Sequence, residues 1–109
     1  MKTLKFRSHL ADQIIRGEKT TTWRLFDDKE LTEGDSISFV RWESGEEFGA
    51  GEIKALKVTT LGSLEEADWE GHERFASESE MYETYKQYYG PNVGPNTEVK
   101  ILSFSFKSI

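Results

Sequence analysis

Helical periodicity interrupts this sequence in only two places, and that constrains its fold more than any other feature. Leu10, Ile14 and Ile15 recur on one face of a segment running from about Ser8 to Arg16. Ser8 is placed to cap its start, and Gly17 to end it in the left-handed conformation. The second interruption runs from Ser63 to Tyr89. There Ser63-Leu64-Glu65-Glu66 and Ser77-Glu78-Ser79-Glu80 each put Glu three residues after a Ser, signalling two helix starts. Met81, Tyr85 and Tyr88 or Tyr89 give the later helix its packing face.

Elsewhere the pattern alternates or is bounded by turns. Thr3–Phe6, Thr20–Leu25, Ser36–Trp42, a segment within Phe48–Thr60 and Glu98–Phe106 read as strands. Ile37 and Phe39 face inward between serines in the third. Ile53, Ala55 and Val58 are expected inward in the fourth. Gly34-Asp35, Glu43–Glu47 and Gly90–Asn96 make the connections. Five or six strands, one short early helix and a helical insertion before the last strand predict an α+β fold, a small mixed barrel in one domain over residues 1–109. The insertion is expected over one opening of the barrel.

Composition narrows the chemistry. Seven Phe, four Tyr and three Trp supply a core for a chain of 109 residues, which buries roughly two-thirds of its unfolded surface. A net charge of −6 opposes generic adhesion to phosphate backbones, so any nucleic-acid contact must be local. The absence of cysteine removes disulfides, thiolate metal sites and thiol nucleophiles. His9 and His72 are the only imidazoles and lack ligand spacing, so no metal and no cofactor is expected. Met1–Arg7 carries no apolar leader, and no stretch approaches the roughly 18 apolar residues of a membrane span. A cytoplasmic protein is the expectation.

The segment Gly17-Glu18-Lys19-Thr20-Thr21-Thr22-Trp23-Arg24 concentrates chemistry where helix hands over to strand. Alternation puts Thr20, Thr22 and Arg24 on one strand face and Lys19, Thr21 and Trp23 on the other, unless a bulge at the helix exit reshuffles them. Lys19 and Arg24 can be read as solvated charges and Trp23 as core. Arg24 suits the oxygens of a base or nucleotide, and equally suits pairing with Asp27, Asp28 or an insertion carboxylate.

The pattern Gly-x-Lys-Thr-x-Thr-x-Arg after a short amphipathic helix resembles the signature of the ASCH domain family, barrels related to the RNA-binding PUA domains. It is most similar to that of the N4-acetylcytidine amidohydrolase group, whose Lys-Thr-x-Thr-x-Arg is met by Lys19, Thr20, Thr22 and Arg24. The Leu25–Lys29 segment departs from that group.

What the resemblance implies is a cofactor-free amidohydrolase acting on an acylated pyrimidine nucleoside. Lys19 would be its base, Thr22 its nucleophile and a glutamate near the start of the insertion its proton donor. Thr20 and Arg24 would bind substrate. Eight carboxylates lie between Glu65 and Glu83, most of them a solvated face. Glu73, flanked by aromatics and preceded by Gly71 and His72, best fits the donor's place, with Glu70 the alternative. His72 itself reads as a capping or surface residue, with a second polar residue lining the pocket as the alternative. The same residues would also allow a protonated Lys19 to stabilise an oxyanion while water attacks. A second class stays open, a noncatalytic module that binds RNA or a modified base, with Trp42, Trp69 and the tyrosines as stacking surfaces.

Overall fold

A computed structural model describes all residues from 1 to 109. The chain forms β1 (Lys2–Phe6), α1 (Ser8–Ile15), β2 (Thr21–Leu25), β3 (Ser36–Arg41), β4 (Glu47–Thr60), α2 (Glu78–Tyr89) and β5 (Glu98–Ser108). Two 3-10 turns, Leu61–Ser63 and Glu66–Trp69, lead from β4 toward α2. The five strands make one mixed sheet in the order β1-β3-β4-β5-β2, with β1 parallel to β3 and every other pairing antiparallel. The result is an α+β half-barrel. Its two edge strands approach each other, and Arg24 Nη2 on β2 donates to the carbonyl of Lys5 on β1 at 3.1 Å.

Two apolar clusters fill the molecule. In one, α1 packs Leu10, Ala11 and Ile14 onto the sheet. Phe39 sits at its centre, with the rings of Phe6, Phe48, Phe104 and Phe106 all within 6.0 Å of its own. In the other, Met81 and Tyr85 of α2 pack onto Trp23, Leu25, Val99 and Ile101 of β2 and β5. Phe6 and Leu10 of the first cluster and Trp23 and Tyr85 of the second line a single cleft. No helix is long and apolar enough to cross a membrane.

Local physics departs from the sequence pattern at three points. Ser8 is not the cap of α1. Arg7 holds that position with extended backbone, while the Ser8 N–H and hydroxyl bind the Glu43 carboxylate. Ala55 and Val58 do not face inward. The β4–β5 register slips between Ile53 and Ala55, the intervening Lys54 reverses the alternation, and both side chains are exposed while Leu56 turns toward the core.

The Ser63 signal does not start an α-helix, since its oxygen accepts from the Thr60 hydroxyl and only 3-10 turns form there. Glu65 and Asp68 instead make the reciprocal cap of the second turn. The Ser77 signal holds, with its hydroxyl accepting from the Glu80 N–H at 3.1 Å.

Candidate functional site

The helix exit decides which side chains meet. After α1 the chain turns at Gly17 with φ +79°, and the N–H groups of Glu18 and Lys19 both donate to the Gln13 carbonyl. Regular alternation begins only at Thr21, so Lys19 is delivered to the same cleft as Thr22 and Arg24 rather than to the opposite face. That cleft has a volume of about 330 Å³. Thr20 is turned out of it and lines a second cavity with Thr21, Lys57 and Glu70.

The insertion is fastened to the start of β2 through its backbone. Thr20 N–H and Thr21 N–H both donate to the Gly71 carbonyl, at 2.9 and 3.1 Å. Gly71 has φ +71°, and a Cβ there would lie 2.0 Å from the Thr20 hydroxyl oxygen. Only glycine fits this junction without distortion. Two residues on, Glu73 reaches into the cleft, whereas Glu70 stays on the far side. Glu73, not Glu70, is therefore the carboxylate that meets the lysine.

Lys19 is 2% exposed and donates to Glu73 Oε1 at 2.5 Å and to the Thr21 carbonyl at 2.8 Å. An ammonium has three donors, so one N–H is left uncommitted. Burial drives the Lys19 pKa below the ordinary lysine value; Glu73 opposes that shift and the Arg24 charge adds to it. For Glu73, burial works upward, but the charge of Lys19 overcomes it and the carboxyl lies below its usual range. Glu73 rests as a carboxylate and can give a proton only after receiving one, most directly across its bond to Lys19.

His72 is buried and lines the cleft, which fits its reading as a polar lining residue and not as a surface or capping one. Its ring stacks on Trp23 at a centroid distance of 3.9 Å, Nδ1 lies 2.7 Å from the Glu73 carbonyl and Nε2 lies 3.3 Å from the Tyr85 hydroxyl. A carbonyl can only accept, which places the proton on Nδ1 and leaves Nε2 to accept from Tyr85. Burial, reinforced by the Lys19 charge, pushes its pKa down to about 4, so the ring is neutral at pH 7. Trp23 is in turn anchored by donating to the Asp68 carbonyl at 3.3 Å.

Thr22 is 4% exposed and lines the cleft, and no hydrogen bond joins its hydroxyl to Lys19. Arg24 is half-buried, with its guanidinium carbon 4.7 Å from the centre of the Phe6 ring and its Nε buried without a partner. It pairs with no carboxylate. Asp27, one of its expected partners, is held instead by Lys100 at 2.7 Å. Trp42 and Tyr88 are exposed at the cleft, and Trp69 packs against Trp23 in the second cluster. Lys5, Arg7, Tyr85 and Tyr88 also line the cleft, and only long-range packing brings them there.

No family model and no curated protein matches the sequence. Solved structures do match in shape. Protein EF3133 from Enterococcus faecalis, of the family DUF984, superposes with a TM-score of 0.81 at 12% identity, over 99% of this chain and 77% of that one. The ASCH domain from Lactobacillus crispatus gives 0.72 at 16% identity, over 99% and 81%. ASCH from Zymomonas mobilis gives 0.62 at 17% identity, over 94% and 65%. The chain thus has the small α+β fold of ASCH domain structures.

Proposed function

We propose that this chain is an amidohydrolase that removes the acyl group from an acylated pyrimidine nucleoside such as N4-acetylcytidine. The observation that carries this reading is the buried Lys19, ion-paired to Glu73 in a cleft that Thr22 and Arg24 share. A buried ion pair is weak support for stability, because desolvation offsets most of its attraction, and its depressed lysine suits a base.

In the proposed reaction a neutral Lys19 takes the proton of the Thr22 hydroxyl as its oxygen attacks the acetyl carbonyl. The proton passes from Lys19 to Glu73 and then to the departing cytosine amine as the carbon–nitrogen bond breaks. Water, deprotonated by Lys19, then hydrolyses the acyl-threonine to acetate and frees the hydroxyl. Arg24 holds a carbonyl oxygen of the base through its fork. Cytidine and acetate are the products. No cofactor is assigned a role.

The test is release of acetate from N4-acetylcytidine by purified protein. Lys19→Ala should lower the rate about 100-fold or more, and Thr22→Ser should retain part of the activity that Thr22→Val loses. The rising limb of kcat/KM against pH should reflect a lysine titrating below its ordinary value. Glu73→Gln removes the charge that supports the ammonium and should move that limb to lower pH. Full activity in Thr22→Val would leave only water as the nucleophile.

The missing Lys19–Thr22 hydrogen bond favours one second reading, a cleft that binds a modified base without turning it over. Saturable binding of N4-acetylcytidine with no acetate released would establish it.

A further inference from the structure

Charge around the cleft is distributed unlike charge on the rest of the molecule. Lys5, Arg7, Arg24, Lys29, Lys86 and Lys107 have no carboxylate within ion-pairing distance, whereas every other Lys and Arg is paired with one. The first three of these line the cleft. In a chain of net charge −6, cations left unpaired together around one concave site await an anion from outside.

Their placement is ordered by depth. Lys19 lies at the closed end, 2% exposed, while Trp42 at 53% and Tyr88 at 39% mark the open end. Arg7 is held there. Its guanidinium carbon lies 3.8 Å over the Trp42 ring and 5.4 Å from the Tyr88 ring, which fixes the plane and leaves the N–H edges unspent. Glu43 feels the Arg7 charge, yet its carboxylate is taken up by the N–H and hydroxyl of Ser8. Arg24 stands beside this group, bonded to the Lys5 carbonyl. A preset guanidinium fork and an exposed ammonium lining the same cleft match the several oxygens of a phosphate monoester better than one carboxylate.

We propose that the cleft takes its substrate as a nucleoside 5′-monophosphate, with the base toward Lys19 and the phosphate between Lys5 and Arg7 at the open end. This rests on the amidohydrolase reading for the acyl group but not for the phosphate. A free mononucleotide fits better than an RNA strand. The cavity of about 330 Å³ is of a size for one small ligand.

The experiment compares kcat/KM for N4-acetylcytidine, its 5′-monophosphate and a short RNA containing the same base. It also compares calorimetric binding of cytidine and cytidine 5′-monophosphate. The monophosphate should be preferred about tenfold or more in both, and the preference should shrink as salt rises. In Lys5→Ala/Arg7→Ala the ratio should fall to about one; Arg7→Lys should restore part of it, and Lys107→Ala, which changes charge away from the cleft, should keep it.

Equal treatment of nucleoside and monophosphate while acetate is released overturns the phosphate site and leaves the amidohydrolase reading standing. No acetate from any substrate, with cytidine 5′-monophosphate still bound in preference to cytidine, overturns the hydrolase and supports the phosphate site. Faster turnover of the RNA than of the monophosphate overturns the commitment to a free nucleotide.

Discussion

His72 shows how one residue ties the chemistry of the cleft to the stability of the fold. It is buried neutral, with a pKa near 4 against 6.5 for a free imidazole, so the folded chain binds fewer protons than the unfolded chain between those values. Its neutral form therefore supports the fold fully above about pH 6.5, and that support is lost progressively as pH falls toward 4. The loss amounts to about 3 kcal/mol at the lower limit. Urea unfolding should show falling stability across this window, and His72→Gln should flatten it. An unchanged slope in the variant would assign the effect to other groups. The sequence did not disclose this role, because nothing in Gly71-His72-Glu73 encodes a stack on Trp23, a residue far away along the chain. Lys19, Thr22 and Arg24 were legible because one short motif carries all three.

Among the elements, the junction between β2 and the insertion controls whether the lysine meets its carboxylate. Gly71→Ala would combine a positive φ with a contact of 2.0 Å to Thr20. The backbone strain alone costs about 1–2 kcal/mol. The expected outcome is a lower urea midpoint together with a rising limb of the pH–rate profile at lower pH, as Glu73 withdraws from Lys19. Lost stability with an unmoved limb would show that the junction holds the fold but not the pair. Strand and helix order was readable from periodicity. What escaped was set by short local details: Lys54 reversing the alternation of β4, the helix exit turning Thr20 away, and Thr60 occupying the oxygen of Ser63. Glu73 is preferred to Glu70 from the sequence because aromatics flank it and Gly71 and His72 precede it; what no local pattern records is the pair of hydrogen bonds between β2 and Gly71 that brings it to Lys19.

For the molecule as a whole, the Lys19–Glu73 pair and the two cores draw on different physics. Aromatic burial holds the half-barrel together, whereas the pair is desolvated at a cost that offsets most of its attraction. Replacing both partners, Lys19→Met with Glu73→Gln, should leave stability unchanged or raise it by about 1–4 kcal/mol while abolishing turnover. Denaturant melts of the double variant check this, and a marked loss of stability would make the pair structural. The topology has a further bearing on how the protein comes into being. β2 finds its only ladder partner in β5, and Lys19 meets Glu73 across 54 residues of chain. The entropy of closing such loops must be overcome before either contact exists, which disfavours them as an early nucleus. The cleft is therefore expected late on the folding route, and a ligand that fits it should slow unfolding more than it speeds folding.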